Sequence, residues 1–208
     1  MPPKVKTEKE KQQMRANIMD AARELFVNKG VEAVSMREIA KLIGYSATAI
    51  YLHFNDKESL LRAICEADFL SLADALHDIS TIPDSLDRMV ALGQGYAKFA
   101  LTYPNHYQLM FMTRHASDQP KGLENVQNNA EKNGYLQLKT VVAAAHADGR
   151  FRQELTDINL IAQTIWAAMH GVCALQITMS QDDWFGWCDI SERLALMQDV
   201  ILRGLVKE

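Results

Sequence analysis

The side chains of this chain that could do chemistry are scattered, with one exception. Six histidines (His53, His77, His106, His115, His146, His170) and three cysteines (Cys65, Cys173, Cys188) occur, none in His-x-x-x-His or Cys-x-x-Cys spacing. Neither a metal site nor a disulfide framework is therefore legible. A Gly-rich phosphate loop and a nucleophile elbow are both missing, and the carboxylates fall at helix caps and on solvated faces. Catalytic residues and cofactors are not expected. The exception runs from Ser35 to Lys57. Ser46-Ala47-Thr48-Ala49 is small and polar, so it can approach bases closely; Thr48 can hydrogen-bond a base edge and the alanines can contact a thymine methyl. Ser35, Arg37, Tyr51, His53 and Lys57 add donors for phosphate oxygens, contacts that set register without reading sequence. The chemistry on offer is recognition of DNA.

Helices must position these groups, because apolar spacing of three and four dominates and sustained strand alternation is absent. Ile18, Ala21, Ala22, Leu25 and Phe26 form one stripe of a helix from about Glu10 to Asn28, which Gly30 can end in the left-handed conformation. Ser35 and Glu38 have capping-box spacing, and Met36, Ile39, Ala40 and Ile43 make a short amphipathic helix that stops at Gly44. Ser46 caps a second short helix, Ala47 to Phe54, with Ile50 and Phe54 facing inward. Two short capped helices joined by a tight Gly44-Tyr45 turn are a helix-turn-helix. A long helix with Leu60, Leu61, Ile64, Phe69 and Leu72 follows and is expected to end before Pro83.

Charge supports the same polarity. The net charge is −4, but residues 1–60 carry +2 and the remainder −6. A basic head on an acidic body suits a protein that presents one end to DNA. Lys4, Lys6, Lys9, Lys11 and Arg15 form a loose basic arm within residues 1–15. The polar start has no signal-peptide core and no apolar run reaches a membrane span, so a cytoplasmic protein without membrane partners is expected.

The run Ser35-Met36-Arg37-Glu38-Ile39-Ala40, then Gly44-Tyr45-Ser46, then Ile50-Tyr51-Leu52-His53-Phe54-Asn55-Asp56-Lys57-Glu58-Ser59-Leu60-Leu61 resembles the signature of the tetracycline-repressor (TetR) family. Tyr45 departs from it, standing where valine is usual. The resemblance implies an all-α fold, with a helix-turn-helix DNA-binding domain over 1–56 and a helical effector-binding and dimerisation domain over 57–208. It implies that Ser35, Tyr51 and Lys57 hold phosphates while Ser46 to Ala49 face bases, in a homodimer on a near-palindromic double-stranded operator. A small-molecule effector releasing a repressor is the usual family behaviour.

The body reads as two faces of one apolar helix, Asp157 to Met179. Thr164, Ala167, Ala168, Gly171, Leu175 and Thr178 form a mostly small stripe suited to a two-fold interface, completed by Leu194, Met197 and Ile201 of the last helix. Ala162, Trp166, Met169, His170, Cys173 and Ile177 form the opposite, bulkier stripe, a cavity wall. Phe99, Tyr103, Tyr107, Met110, Trp166, Met169, His170 and Cys173 are the expected lining, and its scarcity of charge favours an apolar or aromatic effector. Trp166, His170 and Gly171 resemble a Trp-His-Gly feature of one branch of the family, as does the helix start Tyr103 to Phe111. The Lys57 helix would join both modules and carry a shift of population between them.

Overall fold

A computed structural model describes residues 7–113, 129, 132–180 and 185–207. Every regular element among these is helical: α1 (Glu8–Lys29), α2 (Met36–Leu42), α3 (Ala47–Tyr51), α4 (Lys57–Ala75), a 3-10 segment (His77–Thr81), α5 (Ser85–Thr102), α6 (Pro104–Phe111), α7 (Gly134–Ala147), α8 (Ile158–Met179) and α9 (Ile190–Leu205). The polar stretch 114–122, which reads as a loop, and the start of a helix that apolar spacing carries from about Glu124 lie outside the described residues; α7 is described from Gly134, capped by Asn133.

Local chemistry explains most helix ends. Thr7 and Glu10 close a capping box that starts α1 at Glu8, so Lys9, Lys11 and Arg15 belong to a helix and not to a loose arm. Gly30 ends α1 with φ 81° and ψ 148°, a region open essentially to glycine alone but not the left-handed helical one expected. Ser35 Oγ accepts from the Glu38 amide at 3.2 Å, but the Glu38 carboxylate turns to Lys29 and leaves the expected box half made. Gly44, at φ 72°, closes α2 with Gly44 N donating to Lys41 O and Tyr45 N to Ala40 O. That paired pattern needs a positive φ and sets the tight turn. Asp56 and Ser59 cap α4 reciprocally. Asp84, Asp157 and Asp189 cap α5, α8 and α9. The long helix ends at Ala75, before Pro83 as expected, and the chain tightens into the 3-10 segment between them.

The chain divides into two compact units, Met1–Asp68 with Asn105–Leu123, and Phe69–Pro104 with Glu124–Glu208. The division passes through α4 and assigns most of α6 to the first unit. The first unit is built on Ile18, Ala22, Phe26, Ile39, Ile50, Leu60 and Ile64, with Leu109 of α6 joining them. In the second, α5, α7 and α8 pack around buried Leu92, Ala100, Val142, Ala162 and Cys173. Gln198 of α9 donates to the Val90 carbonyl at 2.8 Å and ties α9 to α5. Among the described residues α8 alone has the length and mean hydropathy, 1.4, of a membrane span, a test that a core helix also passes. It carries buried Ile161, Ala162, Ile165, Met169, Val172 and Cys173.

Candidate DNA interface and effector site

In the first unit the core residues point one way and leave a polar edge exposed. Ser35, Arg37, Ser46, Thr48 and Tyr51 are exposed, and Ala47, Ala49, His53 and Lys57 are partly so. Ser35 Oγ and Ser46 Oγ each accept from a backbone amide, of Glu38 and Ala49 respectively, at 3.2 Å. Each hydroxyl proton thus remains available for a phosphate oxygen. Buried Ile50 anchors α3 from below while Thr48 faces outward. Arg15 of α1 reaches the far end of α3: its guanidinium donates to the His53 carbonyl at 3.2 Å and lies 4.2 Å from the centre of the Phe54 ring.

Lys57 behaves differently from what the resemblance implied. Its ammonium donates to the carbonyls of Val31 (2.7 Å), Val34 (3.1 Å) and Glu32 (3.3 Å). Three donors on three carbonyls use the ammonium's full capacity, so here Lys57 braces the α1–α2 connection. Spacing alone could not reveal this, because the carbonyls lie 23 to 26 residues away.

Beneath this edge lies a charged cluster that the pattern reading passed over. Arg23 of α1 forks onto Asp68 of α4, Nε to Oδ2 at 3.0 Å and one terminal nitrogen to Oδ1 at 2.7 Å, while its other terminal nitrogen meets Asp20 at 2.8 Å. Arg23 is 5% exposed and Asp68 1%. Burial by itself would lower the Arg23 pKa, yet the Asp68 and Asp20 carboxylates outweigh it and hold it above the ordinary value. His106 Nδ1 of α6 lies 2.9 Å from Asp68 Oδ1. One carboxylate therefore fastens three helices of this unit. A signal was present: Leu60, Ile64, Asp68 and Leu72 share one stripe at spacing four, and a charge in an apolar stripe calls for a buried partner.

The expected effector residues fall in both units. Tyr107 and Met110 are buried in the first, with the Tyr107 ring tilted against Phe111 at 5.1 Å between centres. The other six lie in the second, where Phe99, Met169 and Cys173 are buried, Trp166 and His170 are half-buried and Tyr103 is exposed, its ring 5.5 Å from Phe99. Their centre is a residue not singled out from sequence, Tyr96. Trp166 Nε1 donates to Tyr96 OH at 3.0 Å, and Tyr96 OH lies 3.4 Å from His170 Nδ1. An indole can only donate, so Tyr96 OH accepts from Trp166, and the Tyr96–His170 contact takes its direction from the tautomer of His170. Burial lowers the His170 pKa, which favours the neutral ring. Tyr135 packs its ring 5.6 Å from Trp166 and completes an aromatic wall with polar tips. Tyr96 follows Met89 and Leu92 on the inward face of α5, which a helical wheel would have shown.

Among the described residues no three His, Cys, Asp or Glu side chains gather as a metal would require. Burial pushes the Cys65 thiol up to about 12, helped by the Asp68 charge, and the Cys173 thiol up to about 11, whereas Cys188 is exposed. Thiolates are the reactive form. Brief maleimide treatment of native protein should therefore modify Cys188 alone, read as one mass increment; prompt labelling of Cys65 or Cys173 would contradict their burial.

On the second unit's opposite side, α8 and α9 present an uncovered apolar groove of about 550 Å³ with Thr164, Ala168, Met197 and Ile201 in its lining. Leu160, Leu175, Leu196 and Val200 are exposed, and no residue of α9 is buried. Of the other expected interface positions, Ala167 is exposed and Gly171 and Leu194 are partly so.

Comparison with known proteins matches residues 18–64 to the N-terminal domain of bacterial regulatory proteins of the tetR family, and residues 89–189 to a tetracyclin repressor-like C-terminal domain. The transcriptional regulator TtgR of Pseudomonas putida is 34% identical over 88 residues, 42% of this chain and 40% of that protein. The chain thus spans about two fifths of this curated relative's length. The fatty acid degradation regulator FadR of Bacillus halodurans superposes with a TM-score of 0.75 at 20% identity, covering 97% of this chain and 98% of that one. A complex of SmeT with triclosan superposes at 0.69 with 23% identity, covering 95% and 93%.

Proposed function

Because the chain belongs to the TetR family of bacterial transcriptional regulators, we propose that it is a ligand-responsive repressor that binds a near-palindromic operator as a homodimer. Members of this family are transcription regulators and not enzymes. The observation that carries the reading is the first unit's edge, where a Gly44-closed turn presents Ser46 and Thr48 outward over a core anchored by Ile39 and Ile50. Residues 1–56 are the DNA-binding module and 57–208 the effector and dimer module. Ala47, Thr48 and Ala49 face bases; Ser35, Arg37, Ser46, Tyr51 and His53 hold phosphates; Lys57 positions the edge they share. The groove along α8 and α9 receives the same face of a second copy. The protein works in the cytoplasm.

The effector is a small, largely apolar or aromatic molecule against Phe99, Trp166, Met169, His170 and Cys173. The aromatic wall around Tyr96 supports this, and SmeT, of similar fold, has been captured with triclosan. Effector binding favours a body conformation that moves the two DNA heads out of register.

Selection from a random double-stranded DNA pool at about physiological salt tests the reading, since specific and non-specific binding separate there. The expected result is an enriched near-palindrome, and a pool that stays unenriched would refute operator recognition. On that site Thr48→Ala should relax the preference at one base pair per half-site by about 1–3 kcal/mol, leaving affinity for unrelated DNA unchanged.

A further inference from the structure

Four buried side-chain polar atoms lack a hydrogen-bond partner among the described residues: Ser85 Oγ and Arg88 Nε on α5, and Tyr135 OH and Gln137 Oε1 on α7. All four belong to one pair of packed helices. Arg88 and Gln137 moreover line the same crevice, about 260 Å³ in volume, between α5, α7 and the 3-10 segment. Successive helical residues turn by about 100°, so Gln137 stands on the far side of α7 from Tyr135, which packs on Trp166. The crevice and the aromatic wall around Tyr96 share no residue.

The two polar side chains are held differently. Gln137 Nε2 donates to the Ala73 carbonyl at 3.3 Å, which orients the amide and leaves Oε1 as an unused acceptor. Arg88 is half-buried and forms no ion pair among the described residues. Asp84, one turn before Arg88, is committed to Arg150 at 2.6 Å and to capping α5. A half-buried cation without a counter-charge is costly, and a guanidinium fork matches a carboxylate. Leu76, Ile79, Leu92 and Val141 supply apolar walls.

We propose that this crevice binds a small organic acid. The carboxylate pairs with the terminal nitrogens of Arg88, and the apolar body lies against Leu92 and Val141. The volume, just below the range of about 300–1,000 Å³ for drug-sized pockets, suits roughly ten to fifteen non-hydrogen atoms. Within the regulator reading, on which only this role rests, the acid is a second effector.

Two measurements on the whole 208-residue chain test the site. The first needs no ligand: Arg88→Met keeps the aliphatic stem and removes the unpaired charge, so the melting temperature should rise by about 2–4 °C. A fall would mean that Arg88 already has a structural partner and would overturn the proposal. The second is calorimetry with 4-hydroxybenzoate as probe and 4-hydroxybenzyl alcohol as its neutral counterpart. The acid should bind at least tenfold more tightly than the alcohol, and at least tenfold more tightly to the natural protein than to Arg88→Met. Absence of binding, or equal affinity for Arg88→Met, would overturn it. Operator affinity without acid should be the same in Arg88→Met, and failure of the natural protein to select an operator would remove the regulator reading while leaving acid binding intact.

Discussion

Asp68→Ala should destabilise the first unit by about 3–5 kcal/mol, because it strands the buried Arg23 guanidinium without its carboxylate. At this chain length that corresponds to a fall in melting temperature on the order of 10 °C, measured at fixed protein concentration. The loss is larger than deletion of an exposed pair such as Lys11 with Glu8, which belongs in the range of about 0–1 kcal/mol. Removing both charges together, as Arg23→Met with Asp68→Leu, should recover most of the stability, since the penalty comes from the unpaired charge and not from the missing attraction. His106→Ala should cost less than Asp68→Ala, because Asp68 keeps its two contacts from Arg23. A change under about 1 kcal/mol in Asp68→Ala would show that water reaches Arg23 and that the cluster does not hold the unit together.

If the chain pairs through α8 and α9 as proposed, Leu196→Glu with Val200→Glu should turn the homodimer into a monomer and weaken operator binding by about 100-fold or more. Both residues are exposed on α9 and stand one turn apart beside the groove that α8 and α9 form. Carboxylates there would have to be desolvated in a two-fold apolar interface, next to their own symmetry copies. Operator affinity should fall with dimerisation because joining two heads makes the second half-site contact intramolecular, a gain of about 10²–10⁴. Because neither side chain is buried in the protomer, its helicity should survive, and circular dichroism separates loss of the dimer from loss of the fold. Sedimentation velocity that still reports a dimer would place the interface elsewhere on the molecule.

How far these features could be read without coordinates depended on the range of the interactions that make them. The helix-turn-helix was legible because its determinants are local. Ser35 and Ser46 cap within three residues, Gly44 closes a turn over five, and Ile39, Ala40, Ile50 and Phe54 announce their inward direction by spacing. The two stripes of α8 were legible for the same reason, and they separate into buried Ala162, Met169 and Cys173 on one side and exposed Thr164, Ala167 and Leu175 on the other. Where several local partners compete, spacing was ambiguous. Glu38 had the position for a capping box but pairs with Lys29, and the chain after Ala75 tightens into a 3-10 segment although its composition continues to permit a helix.

By itself, then, the sequence determined an all-α chain, the register of its short DNA-reading helices and the division of α8 into a covered and an uncovered face, all consequences of contacts within a few residues. Only the tertiary structure decided that Lys57 braces carbonyls near Val31, that Asp68 gathers Arg23 and His106, that Tyr96 links Trp166 to His170, and that Arg88 and Gln137 meet at one crevice. Each of these depends on groups brought together from 23 to 74 residues apart or from different helices. The direction of a charged or aromatic side chain follows whichever partner offsets its desolvation, and that partner exists only once the helices have packed.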